Sequence, residues 1–450
     1  GLTKLGHHGE MGAMGVPSKD LPKWEDIQIL TAQLAKKPLL DNDKVGTDII
    51  IGKNSKKPLT LKIPIFVSDM SFGALSGRAK EALGRGASMA GTSTTTGDGG
   101  MTPEERGQSK NLVYQLLPSR YGMNPDDLRK ADAIEIVIGQ GAKPGGGGML
   151  LGQKISDRVA EMRTLPKGID QRSACRHPDW TGPDDLKIKI LEIREITGWK
   201  VPIFIKVAGA RPYYDTALAV KAGADVVVLD GMQGGTAATQ EVFIENVGQP
   251  TLACIRPAVD ALQDLDQHRK VQLIISGGIR NGADVAKAMA LGADAVSIGS
   301  AAMIALGDND PKWEKDYNKL GTTAGAYDDW HEGNDPAGIT TQKPELMKRF
   351  DVWLVMKKPD NSRVVDNLGL CTIVTPDELK DLPSILVAPM TTLSESLPSR
   401  IECRFDDAKG YIMVDQLRAI DKFCFIKKLG ELESETQVKL CDCLQEFFAL

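Results

Sequence analysis

Aromatic residues make up only 5% of the 450-residue chain. No apolar run approaches the roughly 18 residues needed to cross a bilayer; stretches such as Val226–Leu229 fall far short. Gly1 opens no signal-peptide pattern, so a soluble, cytoplasmic protein without membrane association is expected. The seven cysteines, Cys175, Cys254, Cys371, Cys403, Cys424, Cys441 and Cys443, form no C-x-x-C pair. Odd in number and scattered, they read as reduced thiols, with no zinc or iron–sulfur site and no other metal. An excess of positive charge is also missing: 55 Lys and Arg stand against 60 Asp and Glu. Residues 351–450 carry 17 acidic and 12 basic residues, and the rest of the chain is balanced, so neither part has the basic footprint of a nucleic-acid binder.

Hydrophobic residues at 42% and charged residues at 26% exclude wholesale disorder and collagen-like repeats. The length allows one large domain and one small one. Glycine is abundant, at 46 residues, which suits backbone that turns tightly or closes on a ligand. Short β-branched runs recur at 64–68, 134–138, 202–206, 225–229, 272–276 and 294–298. Continuous apolar strands of this kind belong in a parallel sheet buried on both faces. Alanine-rich helical segments lie between several of them, for example Tyr214–Ala222 and Ala283–Leu291, ended by Gly223 and Gly292 where a helix C-cap takes glycine. Spacing of about 20 residues in the last units, with a glycine-rich loop after each strand, predicts an α/β fold, a (β/α)8 TIM barrel. The Gly-, Ser- and Thr-rich stretch from Met70 to Ala133 reads as a functional insertion. Near Phe350 the pattern changes to short strands at 351–355, 371–374, 385–388 and 411–414, then an amphipathic helix over 433–448. The expected domains are 1–350, the barrel, and 351–450, a small β-barrel with a C-terminal helix.

Chemistry concentrates after the strands. Ser276-Gly-Gly-Ile279 and Ile298-Gly-Ser-Ala301 close the seventh and eighth barrel strands, where paired backbone amides make a phosphate cradle, here read as holding the phosphate of FMN. Leu229-Asp-Gly-Met-Gln-Gly-Gly-Thr236 lets backbone lie close to a flat ligand or simply turns the chain. Gly139–Gly148 carries Gln140 and Lys143, the lysine suited to a substrate carboxylate or flavin contact. Lys206 ends an apolar strand, either to stabilise anionic reduced flavin or grip a carboxylate, or to snorkel at the rim. His177, between Arg176 and Asp179, reads as a hydrogen-bonding residue rather than a catalytic base.

Asp69-Met-Ser-Phe-Gly-Ala-Leu-Ser76, Thr94-Thr-Thr-Gly-Asp-Gly-Gly-Met-Thr-Pro103, Gln140-Gly-Ala-Lys-Pro144, Asp230-Gly-Met-Gln-Gly-Gly-Thr236 and Ser276-Gly-Gly-Ile-Arg280 together resemble the FMN-binding domain of glutamate synthases across nearly all of residues 1–350. The wording at 94–109 and 173–186 is most similar to the branch containing the FMN subunit of N-methylglutamate synthase. The resemblance implies an FMN-dependent oxidoreductase that forms glutamate or N-methylglutamate through an imine. Its substrates would be glutamate or 2-oxoglutarate with ammonia or methylamine, and amidotransferase-like and other synthase subunits would be partners. It also implies that Met70, Ser71, Thr96, Gln140, Lys206, Gly277, Gly278, Gly299 and Ser300 bind FMN. Lys143, Lys206 and Asp179 are the catalytic candidates, Lys143 and Asp179 facing the amino-acid substrate. Glutamate synthases carry three cluster cysteines after the last barrel strand, whereas 305–313 contains none. An N-terminal nucleophilic cysteine for glutamine hydrolysis and a strand-placed G-x-G-x-x-G are missing too. Ammonia and electrons then come from elsewhere, or the net reaction is redox-neutral.

Asp351-Val-Trp-Leu-Val355, Ile373-Val-Thr-Pro-Asp-Glu-Leu379, Val387-Ala-Pro-Met-Thr-Thr392, Leu397-Pro-Ser-Arg400 and Val414-Asp-Gln-Leu-Arg-Ala-Ile-Asp421 resemble PemK/MazF-type toxin endoribonucleases, SH3-like β-barrels that dimerise. The family's catalytic arginine falls where this chain has Leu368-Gly-Leu370, while Thr391, Thr392 and Asp415 occupy RNA-contacting positions and Arg363 is a substitute cation. A degenerate, non-cleaving dimerisation domain is the expectation, and an mRNA interferase acting on RNA the alternative function.

Overall fold

The computed structural model describes residues 22–234, 243, 246–306, 339–342, 351–356, 368–374, 384–391, 399–405, 408–421 and 425–448. The chain divides into two compact units, Gly1–Met347 and Lys348–Leu450.

In the first unit eight parallel strands pair in a ring: β1 (Ile65–Val67), β2 (Thr94–Thr95), β3 (Leu112–Leu116), β4 (Ala133–Val137), β5 (Ile203–Ala208), β6 (Val226–Asp230), β7 (Gln272–Ser276) and β8 (Ala295–Ile298). The spatial order is β1-β8-β7-β6-β5-β4-β3-β2. A parallel bridge between Asp69 and Thr95, with the Val67 N–H donating to the Ser93 carbonyl at 2.9 Å, joins β1 to β2 and completes the ring. Helices α1 (Gly77–Ala90), α2 (Pro103–Gln108), α3 (Pro125–Lys130), α4 (Asp157–Arg163), α5 (Pro183–Ile196), α6 (Pro212–Ala222), α7 (Thr251–Asp264), α8 (Gly282–Leu291) and α9 (Ser300–Ala305) lie between and after the strands. Side-chain oxygens of Ser76, Thr102, Asn124, Ser156 and Asn281 accept from N–H groups in the first turn of their helices, and Gly223 ends α6 in the left-handed region. The fold is a TIM barrel, as the β-α alternation predicts.

The stretch 70–133 is not an insertion. It holds β2, β3 and helices α1 to α3, the first turns of the barrel itself. β2 is two threonines long and β3 contains Tyr114 and Gln115, so neither shows a continuous apolar run.

Side chains alternate between two environments along each strand. Ile134, Ile136, Ile203, Ile205, Val227, Leu229, Leu273 and Ile275 face the helices in the larger core. Phe66, Val113, Ala133, Phe204, Val226, Val228, Ile274 and Ala295 fill the lower interior of the barrel, with Phe66 and Phe204 edge-to-face at 6.2 Å. A hairpin of Ile49–Ile51 and Leu59–Leu61 adds Ile51, Leu59 and Leu61 to that inner cluster and stoppers the barrel at its strand N-termini. Gln272, fully buried at the base of β7, fastens the stopper. Its Nε2 donates to the Ile50 carbonyl at 2.7 Å, and its Oε1 accepts from the Gly52 N–H at 2.7 Å.

The second unit is a small antiparallel sheet of β9 (Asp351–Met356), β10 (Leu368–Ile373), β11 (Ser384–Thr391), β12 (Arg400–Phe405), β13 (Ala408–Met413), β14 (Arg418–Asp421) and β15 (Phe425–Glu431), followed by α10 (Ser434–Phe448). Its order is β12-β13-β11-β10-β9-β15, with β14 paired to β11. Ala388, Ile401, Cys403, Ile412, Val414, Leu432 and Leu440 form its core. Among the described residues no helix is long and apolar enough to cross a membrane.

Candidate active site

Two residues above the apolar layer, on the same inward face, every strand from β3 to β8 changes chemistry. Val113, Ala133, Phe204, Val228, Ile274 and Ala295 are succeeded by Gln115, Glu135, Lys206, Asp230, Ser276 and Ser297, all buried. A polar storey therefore lies across the barrel just below the C-terminal ends of the strands, the face where TIM barrels carry their sites.

Among the described residues Lys206 is its only cation. Its ammonium meets Asp69 Oδ1 at 2.5 Å and Asp230 Oδ2 at 3.7 Å. Burial alone would lower the lysine's pKa, but the carboxylates of Asp69, Asp230 and Glu135 hold it well above the ordinary value. Burial likewise opposes ionisation of Asp69, and Lys206 outweighs it, leaving that carboxyl below its usual range. Asp230 goes the other way, raised by burial although Lys206 pulls against it. Among the described residues Glu135 has no ion pair, and its Oε1 accepts from Gln115 Nε2 at 2.7 Å. Burial, with Lys206 opposing and Asp69 reinforcing, pushes it up to about 7.

Above this storey the loops interlock. The Gly141 N–H donates to Asp230 Oδ2 at 2.7 Å, tying the loop after β4 to β6. Register between β7 and β8 pairs Ser276 with Ser297, so Gly277 and Gly278 lie beside Ile298 and Gly299. Gly277 has φ +106° and Gly278 φ +74°, a region that favours glycine. Among the described residues no hydrogen-bond acceptor meets the N–H groups of Gly278, Ile279, Gly299 or Ser300. Unsatisfied amides on adjacent loops at the ends of β7 and β8 fit a phosphate group.

The other candidate residues fall in three places. Met70, Ser71 and Thr96 sit on the adjacent loops after β1 and β2; Met70 and Thr96 are buried, and Thr96 Oγ1 accepts from the Gln115 N–H at 3.0 Å. Gln140 and Lys143 share the loop after β4, the Lys143 N–H donating to the Gln140 carbonyl at 3.3 Å. Lys143 is buried, and burial lowers it to about 8 although the Asp98 carboxylate opposes the shift. Asp179 is paired with Arg120 and, at 2.7 Å, with Lys189 of α5. Burial resists, but hydrogen bonds from those two cations bring its carboxyl down to about 2. His177 Nε2 contacts the Val137 carbonyl at 2.8 Å and its ring stacks on Trp180 at 4.9 Å. Glu135, Gln115, Asp69, Asp230 and Asp98 are site residues that sequence reasoning does not single out. For Gln115, Glu135 and Asp230 a polar residue recurring at the upper inward position of successive strands is the available signal, whereas Asp69 and Asp98 lie on loops.

In the second unit, Leu368, Gly369 and Leu370 lie within β10, and Thr391 pairs with Tyr411. Asp415 accepts from Arg400 Nη2 at 2.9 Å. Arg363 and Thr392 lie outside the described residues.

Residues 12–312 match the family model described as the conserved region in glutamate synthase, and residues 348–448 match the PemK-like, MazF-like toxin of type II toxin–antitoxin systems. A glutamate synthase large subunit-like protein of Rhizobium meliloti (strain 1021) is 76% identical over 335 residues, covering 74% of this chain and 76% of that one. The archaeal-type glutamate synthase (NADPH) of Thermotoga neapolitana is 37% identical over 347 residues, 77% of this chain and 65% of that protein. A solved mandelate oxidase structure is 22% identical with a TM-score of 0.40, over 60% of this chain and 73% of that one. This chain thus belongs to the glutamate synthase family, with a PemK-like region following its synthase region.

Proposed function

We propose that the barrel over residues 1–350 is an FMN-dependent synthase acting on glutamate or 2-oxoglutarate, and that its amine is methylamine, giving N-methylglutamate. The observation that carries this reading is the buried polar storey around Lys206, roofed by glycine loops with unsatisfied amides at the ends of β7 and β8. Those amides, of Gly278, Ile279, Gly299 and Ser300, would hold the phosphate. Lys206 would face the ring system from below, with Met70, Ser71, Thr96 and Gln140 around its edge. When bound, FMN supplies the capacity to accept and return a hydride. Lys206, fixed as a cation by three carboxylates, favours negative charge above it. Lys143, buried and close to neutrality, binds a substrate carboxylate when protonated. Exchange of methylamine for the amino group of glutamate is redox-neutral, which matches a chain without cluster cysteines at 305–313.

A visible spectrum of the purified protein tests the cofactor, and chromatography after adding glutamate plus methylamine tests the reaction, with 2-oxoglutarate, ammonia and a reductant in parallel. N-methylglutamate from the first mixture is expected. Glutamate from the second alone would make it an ordinary glutamate synthase, and a colourless protein that takes up no FMN would overturn the reading. For residues 351–450 the absence of a basic side chain at Leu368-Gly-Leu370 favours a dimerisation module over an RNA-cleaving one. RNA cleavage by the intact protein would reverse that assignment.

A further inference from the structure

Two buried cations outside the polar storey grip the same pair of loops. Lys80, on α1 and fully buried, donates to the Met70 carbonyl at 2.6 Å and the Thr96 carbonyl at 2.9 Å, and is neutralised by Glu105 of α2 at 2.9 Å. Arg163, the last residue of α4 and also buried, donates through Nη2 to the Phe72 carbonyl at 2.9 Å and the Asp98 carbonyl at 3.4 Å. Residues 70 and 72 follow β1, and 96 and 98 follow β2, so alternate carbonyls of two adjacent loops are held from within the protein.

A trans peptide plane points its N–H opposite to its C=O, and no described peptide bond is cis. Drawing the Met70 and Thr96 carbonyls onto Lys80 therefore turns the next N–H groups, of Ser71 and Gly97, away from the lysine. The two planes touch: a Cβ on Gly97, whose φ is +73°, would lie 2.5 Å from the Ser71 nitrogen. Among the described residues no hydrogen-bond acceptor meets either N–H. Each amide is also polarised by the cation on its carbonyl, which strengthens it as a donor. We infer that Lys80 is a positioning residue that aims the Ser71 and Gly97 amides as a donor pair at an electron-rich ligand edge, which under the proposed function is that of the flavin ring, and that Arg163 steadies the same two loops two residues further on.

The inference rests on that reading, and its test separates the two. Flavin dissociation constants and midpoint potentials are measured for the wild-type protein, Lys80→Met and Leu262→Ala, the last a comparable core lesion on α7 far from the loops. Charged or electron-rich acceptors gain most from such donors, so Lys80→Met should weaken the reduced flavin about tenfold more than the oxidised form, a drop of about 30 mV for a two-electron couple. Leu262→Ala should leave the potential where it is. Should Lys80→Met not fold, Arg163→Lys keeps the charge beside Asp98 while losing the reach to both carbonyls, and the same shift in smaller measure is expected. Flavin bound with unchanged affinity and potential in the folded loop variants would overturn the clamp alone. Flavin bound by neither wild type nor variant would overturn the proposed function and the clamp's role with it.

Discussion

Lys206→Met removes the cation from a storey that holds three carboxylates. Breaking a buried pair by deleting one partner costs about 3–5 kcal/mol, because the other charge remains without compensation. The side chain of Lys206 is 4% exposed, but that of Asp69 is 21% exposed, so water relieves part of the burden and the lower end, about 3 kcal/mol, applies. At 1.4 kcal/mol per factor of ten, amide exchange of Ile205 and Val207 in β5 should accelerate about 100-fold at pH 7. Exchange read at those amides isolates the barrel from the second unit, which unfolding by a global probe would not. The pH dependence has a definite sign. In the wild type, Lys206 depresses Asp69, so this pair's contribution is present above the ordinary carboxylate range and is lost as the pH falls through Asp69's lowered pKa. In the variant burial is opposed only by the hydrogen bonds from Gln115 and Ser68, the pKa of Asp69 rises, and the destabilisation should shrink as the pH falls towards 5. Adding Asp69→Asn should restore part of the loss at pH 7. A variant that exchanges within threefold of wild type, or a double variant less protected than the single one, would refute the reasoning.

Glu135→Gln should flatten one part of the pH–stability curve. A carboxyl raised to about 7 contributes stability that is full below the ordinary carboxylate range and fades as the pH rises through 7, so melting temperatures of wild type and variant should diverge between about pH 4.5 and 7 and run parallel if the assignment is wrong. Gly277→Ala places a Cβ 2.7 Å from Thr251 Oγ1 at φ +106°, a strain of about 1–3 kcal/mol. Titration should show FMN losing more affinity than riboflavin, and equal losses would take the phosphate off that loop. Lys143→Ala should lower turnover more than flavin retention. In wild type the rate with glutamate should decline as the pH rises through about 8, where the lysine loses its proton, and a flat profile from 7 to 9 would remove Lys143 from substrate binding.

Strands β5 to β8 are legible because a strand buried on both faces shows as an unbroken apolar run, and the glycines after them mark the rim. Thr94–Thr95 gives no such signal, since its place in the ring depends on neighbours distant in sequence. The same two-sided burial hides the polar storey. In Ala133–Val137 both faces are apolar except at Glu135, and one glutamate in a strand reads as a surface residue until closure of the ring turns it inward. Lys206 stands out in the sequence because it interrupts an apolar run near a strand end, yet its three carboxylate partners come from three other places in the chain. Lys80 followed by Glu81 looks like the wet side of a helix, and only the packing of α1 against α2 makes it dry.

Among the described residues, the hairpin at 49–61, lodged under the barrel and latched by Gln272, closes the interior at the N-terminal ends of the strands. Glu135 sits between that sealed floor of isoleucine, leucine and phenylalanine and the rim. Apolar packing on the floor side means that the charge of Glu135 is answered within its own layer, by Gln115 and Lys206, and not from below.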